Sequence, residues 1–245
     1  MTGDTVISVR NLVKKFGSFT ANDNLTFNVY EGEIFGFLGA NGAGKTTTIR
    51  ILSGLSKPTS GEVVVAGFDA YSQPEKIKNN IGYMCQKFSL YEDLTVKENI
   101  TLYGGIYGMK REIIRTRMNE LLERLNFHEF ENRIISDLPL GLKQKLSFSI
   151  AVLHEPKIVF LDEPTGGVDP ITRRQFWEMI YETALRGITV FVTTHYMDEA
   201  EYCDRISIMS EGKIIALDTP SALKKQYDAE SVEEVFIKIA RPVKN

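Results

Sequence analysis

Apolar positions along the chain follow two rhythms. Val6–Val9 and Leu25–Val29 alternate, as strands with one buried face do. Ile34–Leu38, Ile158–Leu161 and Ile188–Thr194 are apolar almost throughout, the pattern of strands covered on both sides. Glu62–Ala66 and Ile81–Gln86 read as further strands. Ile206–Met209 and Lys213–Ala216 flank Glu211-Gly212 and read as a hairpin. Helical spacing dominates residues 111–126, where Ile113, Ile114, Met118, Leu121, Leu122 and Leu125 share one side. Other helices are predicted from Thr47 to near Gly54, from a Thr95/Glu98 capping box, and from Asp169-Pro170. Two more start at Thr219-Pro220 and at Ser231, the last with Val235, Phe236 and Ile239 on its apolar side. These elements predict an α/β fold in one domain spanning 1–245. Its core covers about 1–88 and 156–220. The stretch of about 89–155 lacks any strand signal and is expected to be an inserted helical subdomain. Residues 219–245 form a short helical extension.

Composition narrows this picture only slightly. A chain of 245 residues fills one such domain, and its net charge of -3 gives no general attraction to nucleic acid. No apolar run is long enough to span a membrane, and the N-terminus has no apolar leader segment. Two cysteines, Cys85 and Cys203, make neither a disulfide framework nor a metal cluster. A cytosolic chain is expected.

The chemistry concentrates in Gly39-Ala40-Asn41-Gly42-Ala43-Gly44-Lys45-Thr46-Thr47, set between a buried strand and a helix. That order is the context of a P-loop. Glycines let backbone N–H groups wrap phosphate oxygens, Lys45 reaches the β- and γ-phosphates, and the Thr46 hydroxyl can ligate Mg²⁺. A nucleoside triphosphate is the expected ligand.

Other candidates gain meaning from this loop. Asp162-Glu163 ends a buried strand, where two adjacent carboxylates are costly unless neutralised. In a Walker B pattern Asp162 helps hold Mg²⁺ and Glu163 polarises the attacking water. Gln86, at a strand end, faces the metal and the water; elsewhere it would be an ordinary surface glutamine. His195 follows a buried strand, where open α/β sheets bind ligands, and can donate to a γ-phosphate. Phe16, before Gly17, is either a half-buried loop aromatic or a platform for a nucleotide base. Asp169 has the sequence of a helix N-cap, which leaves room for a second role toward a partner subunit.

Together these residues resemble the ATP-binding cassette of ABC transporters, over nearly the whole chain. Six motifs stand in the family's order: the aromatic Phe16, Walker A at Gly39–Thr46, the Q-loop at Gln86, Walker B at Asp162-Glu163, the D-loop at Gly167-Val168-Asp169 and the switch histidine His195. The resemblance implies a P-loop NTPase fold, with a RecA-like core carrying a mixed sheet, an N-terminal antiparallel β-subdomain and an inserted α-helical subdomain. It further implies two cassettes sandwiching two ATP molecules, each site joining one subunit's Walker A to the other's signature motif. In that scheme Glu163 is the general base, Lys45 and His195 hold the γ-phosphate, and Thr46 and Gln86 join Asp162 around Mg²⁺. Asp169 couples the two sites, and hydrolysis drives a separate integral membrane permease. The chain is then peripheral on the cytoplasmic face of the membrane, with no nucleic acid partner.

One motif departs from the family. In place of Leu-Ser-Gly-Gly-Gln the chain has Leu138-Pro139-Leu140-Gly141-Leu142. Pro139 supplies neither hydroxyl nor N–H, whereas Gly141 and Leu142 are expected to keep N–H groups that can meet an anion at a helix N-terminus. Slower or more partner-dependent turnover is expected. The runs Gly82–Thr95 and Thr194–Ala200 resemble exporters of the drug and polysaccharide type. A long C-terminal regulatory domain of the kind many importers carry is not expected, so export is favoured over import. Phe88, Leu90 and Tyr91 are candidates either for a permease-docking groove or for local core. A soluble cassette acting on ribosomes or DNA is the other class, disfavoured by the single cassette and the mildly acidic balance. A GTPase or kinase reading fails on Asp162-Glu163 with His195.

Overall fold

A computed structural model describes residues 3–86 and 90–240. Strands β1 (Thr5–Phe16) and β2 (Phe19–Tyr30) form a long hairpin. With β4 (Ser60–Val65) and β5 (Phe68–Asp69) they build a four-stranded antiparallel sheet in the order β2-β1-β4-β5. Both hairpin strands are longer than their alternating sequence segments. Asn11 and Asn24 take left-handed backbone conformations, and the pairing register shifts repeatedly between Val9 and Lys15. Such bulges interrupt the two-residue period that reveals a strand in sequence. Phe16 therefore ends a strand and does not sit in a loop.

The second sheet has six strands. Its order is β10 (Lys213–Asp218), β9 (Arg205–Ser210), β3 (Ile34–Gly39), β8 (Thr189–Thr194), β7 (Ile158–Asp162) and β6 (Ile81–Met84). Only β10 runs antiparallel to its neighbour, so the sheet is mixed as expected. Pleating sorts the apolar strands into two cores. Phe35, Phe37, Phe160 and Phe191 face the antiparallel sheet and α1 (Lys45–Leu52), packing with Phe27, Ile49, Ile51 and Val63. Ile34, Leu38, Val159, Leu161, Val190 and Val192 point the other way, onto Phe176, Trp177 and Ile180 of α6 (Pro170–Leu185). Burial on both faces is why these strands read as continuous apolar runs.

Between the sheets' sequence halves lie α2 (Pro74–Lys78), α3 (Val96–Ile106), α4 (Arg111–Leu125) and α5 (Leu140–Ala151). Helix α2 escapes sequence detection because one buried residue, Ile77, gives no period over five positions. The Thr95/Glu98 capping box opens α3. Helices α3 to α5 enclose a third core with Val96, Ile100, Leu121, Leu122, Leu146 and Ile150, and Leu90 joins it. Helix α5 belongs to two cores, since its Phe148 and Ala151 pack on the six-stranded sheet. It is buried on nearly every side beyond its first turn. Helices α7 (Pro220–Gln226) and α8 (Val232–Ala240) close the chain, and Val232 and Val235 join the core beside β9 and β10. Among the described residues no helix is long and apolar enough to cross a membrane.

Candidate nucleotide site

Parallel β3 delivers the glycine-rich loop at its C-terminal end, between β8 and β9. The loop then turns into α1. Gly44, the residue before α1, has φ 104°, and a Cβ there would collide with the Ala21 carbonyl oxygen. Only glycine meets both demands. The N–H groups of Gly42, Gly44, Lys45, Thr46 and Thr47 have no hydrogen-bond partner among the described residues, while Ala43 N–H donates to Ala40 O. Five unpaired donors at a helix N-terminus form a cradle for an anion. Asn41 is exposed at its rim. Asn22, buried at the root of the loop, braces it by donating to Gly44 O (3.2 Å) and Thr48 Oγ1 (3.0 Å).

Opposite the loop, β7 ends in Asp162, buried to 2% exposure. Thr193 of β8 donates to Asp162 Oδ1 at 2.6 Å, and Thr46 Oγ1 lies 3.5 Å from the same oxygen. Burial pushes the Asp162 carboxyl above its usual range, against the pull of those two hydroxyls; the neighbouring Glu163 charge pushes the same way. Hydroxyl and carboxylate oxygens over a buried, under-neutralised acid suit a hard divalent cation.

Glu163 adopts a left-handed backbone with φ 50°. Its N–H donates to both the carbonyl and the hydroxyl of Thr193, at 3.1 Å each. The turn aims its carboxylate back at the loop, where it collects three partners. Lys45 Nζ stands 3.3 Å from Oε1, Gln86 Nε2 donates to Oε2 at 2.9 Å, and His195 Nδ1 lies 3.0 Å from Oε2. The accepting oxygen is a carboxylate, so Nδ1 carries the proton of that bond. Lys45 also donates to the carbonyls of Gly39 (2.7 Å) and Ala40 (3.3 Å). The structure thus gathers Lys45, Thr46, Gln86, Asp162, Glu163 and His195, residues drawn from four strand ends. Gln86 points its amide N–H at Glu163. Phe16, 55% exposed, lines a cleft of about 400 Å³ with Thr46, Thr47, Arg50 and Leu55.

Gly141 and Asp169 gather elsewhere, at the starts of α5 and α6. Asp169 caps α6 by accepting from the N–H groups of Ile171 and Thr172 and from the Thr172 hydroxyl at 2.6 Å. These bonds, the hydroxyl first, hold its carboxyl below the usual range. The Leu142 N–H, expected to be free, instead donates to Pro139 O at 3.0 Å, as does that of Lys143. A helix starting at residue 140 commits those two donors to its first turn, so among the described residues the unpaired N–H groups here are those of Leu140 and Gly141. Thr193 and Asn22 were not singled out from the sequence; a threonine inside a buried strand and an asparagine in an edge hairpin carry no motif. Phe88 lies outside the described residues. Leu90 is 5% exposed and packs in the helical core, while Tyr91 is 51% exposed.

The family model described as ABC transporter matches residues 22–166. The chain belongs to the ABC transporter family. Over 242 residues it is 46% identical to the "Probable multidrug ABC transporter ATP-binding protein YbhF" of Escherichia coli (strain K12), covering 97% of this chain and 42% of that protein. The chain therefore spans less than half the length of that relative. It is 36% identical over 234 residues to the "Nod factor export ATP-binding protein I" of Burkholderia lata, covering 94% of this chain and 76% of that one. Among solved structures, a dimeric post-hydrolysis state of the ATP-binding cassette MJ0796 bound to ADP and Pi superposes with TM-score 0.79 at 28% identity, over 87% of this chain and 98% of that chain. The P-loop NTPase fold read from the motifs is thus the fold of this ABC cassette.

Proposed function

We propose that this cassette hydrolyses ATP in a composite site shared with a second cassette, and thereby powers export through a separate membrane permease. The observation that carries the reading is the Glu163 carboxylate, held at once by Lys45, Gln86 and His195. A single base linked to the P-loop, the Q-loop and the switch strand is arranged to sense phosphate and to act on water beside it.

With triphosphate bound, the loop N–H groups take up its phosphate oxygens, and Lys45 exchanges the Gly39 and Ala40 carbonyls for them. Glu163, released from Lys45, accepts a proton from the attacking water while Gln86 and His195 orient it. Phe16 offers its ring to the base. Thr46 and Asp162, with the Gln86 amide oxygen as a further donor, would hold Mg²⁺, which when bound would supply charge neutralisation for phosphoryl transfer. Asp169 and the N–H groups of Leu140 and Gly141 face the partner cassette. The dimeric MJ0796 structure and the export name of the Burkholderia relative support dimer formation and direction.

Glu163→Gln tests the chemistry. Turnover should fall about 10²–10⁴-fold with nucleotide binding retained, because only base assistance is lost. A closed dimer should then persist on gel filtration with ATP; turnover at the wild-type rate overturns the assignment. Purification in detergent, followed by ATP-driven transport in inverted membrane vesicles, tests the rest. Accumulation of substrate supports export, depletion supports import, and capture of ribosomes or DNA without a permease supports a soluble cassette.

A further inference from the structure

A second polar cluster is sealed beneath the switch strand, away from the P-loop. Its centre is Glu199, whose side chain is 0% exposed. One carboxylate oxygen accepts from the Thr165 hydroxyl and lies 3.6 Å from Arg173 Nε; the other has no hydrogen-bond partner. Burying a carboxylate with so few partners is unfavourable, and Arg173 is the one cation paired with it among the described residues.

Arg173 also reaches outward. Its guanidinium carbon sits 4.3 Å from the centre of the Tyr196 ring, and Nη1 lies 3.4 Å from Asp198 Oδ2. The Tyr196 ring in turn packs 4.2 Å from the His195 ring. Thr165 belongs to the loop that runs from Glu163 to Asp169, and the next residue, Gly166, accepts from Gln144 Nε2 of α5 at 3.1 Å. A continuous path of contacts therefore joins the α5 start, the Thr165–Asp169 loop, α6 and the switch histidine. This path meets the P-loop cluster at Glu163, through the His195 side chain and through the Gly166 N–H, which donates to the Glu163 carbonyl at 3.3 Å.

We propose that Arg173 and Glu199 are positioning residues: a buried strut that sets His195 and the Thr165–Asp169 loop in register for the Glu163 chemistry. The inference rests on the ATPase reading above. Arginine suits the task because one planar fork meets a ring face and two carboxylates together, which the point charge of lysine cannot do. Loss of the strut leaves the phosphate cradle intact but lets His195 drift from Glu163, so turnover suffers and binding does not.

The test uses the purified full chain, steady-state ATP hydrolysis, titration with a fluorescent ATP analogue, and thermal melting. Arg173→Met, which keeps the apolar stem, should lower kcat about ten- to hundredfold while nucleotide affinity stays within about twofold, as expected for a misplaced catalytic group. Arg173→Lys should recover part of that loss. Glu199→Gln keeps an acceptor for Thr165 and removes the charge, and it should give the same split if Arg173→Met does not fold. Wild-type kcat in the folded variants overturns the proposal. So does a parallel loss of kcat and affinity, or a lysine variant no better than methionine. Glu163→Gln measured alongside separates the two readings: if it still turns over, the ATPase assignment fails; if it does not, the strut is judged on its own variants.

Discussion

In the proposed composite site the P-loop and the signature segment are both helix starts that meet phosphate, and they are built very differently. Among the described residues the P-loop keeps unpaired N–H donors at Gly42, Gly44, Lys45, Thr46 and Thr47, with a buried lysine and a glycine that nothing else can replace. The signature segment keeps two unpaired donors, opens on Pro139, and presents Leu140 at 48% exposure. What it has instead is mechanical anchorage. Gln144 ties it to Gly166, and Gly141 lies against Thr172, the residue that donates its hydroxyl to Asp169. One end of the proposed composite site is thus rich in phosphate-binding groups, and the other is rich in connections to the rest of the cassette.

The largest effect should come from removing the charge on the rich side. Lys45→Ala should weaken triphosphate binding about a hundredfold or more, since charge-assisted hydrogen bonds are worth about 1.5–3 kcal/mol each. A nucleotide titration with unchanged affinity would remove the contrast altogether. Restoring chemistry on the poor side is the converse experiment. Pro139→Ser with Leu140→Gly should strengthen ATP-dependent dimer closure about ten- to hundredfold, by the same reckoning. An ATPase rate and a dimer population that both stay put would mean that anchorage, not the missing hydroxyl, sets turnover.

Anchorage itself is tested by Gly141→Ala. The new Cβ would stand 2.7 Å from Thr172 Cγ2. Overpacking of this kind costs about 1–3 kcal/mol, so thermal unfolding should move down and turnover should fall with α5 displaced. The smallest effect belongs to Asn22→Ala. Its two hydrogen bonds to the P-loop root are lost, yet Gly44 O still accepts from Thr48, and Asn22 Oδ1 has no hydrogen-bond partner to lose. A loss of about 1 kcal/mol is expected in denaturant melts.

The same contrast explains what the sequence could reveal. Contiguous features such as the Gly39–Thr47 loop or the Asp169-Pro170 cap are local, and their chemistry is written in neighbouring residues. The two cores of the six-stranded sheet were equally legible, because strands buried on both faces show unbroken apolar runs. Long-range partnerships were not. Thr193 supports Asp162 from 31 positions away, and Arg173 meets Glu199 across a helix and a strand. Bulges at Asn11 and Asn24 hid more than half of the hairpin, and the signature donors were misassigned by one residue because the first turn of α5 consumes the Leu142 N–H.

Glu163 carries one more consequence, for how this protein responds to selection. Its left-handed backbone disfavours any residue with a Cβ by about 1–2 kcal/mol, whereas glycine adopts it freely. The side chain offsets that strain, because its carboxylate is the close counter-charge of the buried Lys45 and is also held by Gln86 and His195. Glu163→Gly would relax the backbone but leave Lys45 buried without that partner, a loss of about 3–5 kcal/mol against a gain of about 1–2. A library screened for heat resistance alone should therefore retain an acidic side chain here, strained backbone included.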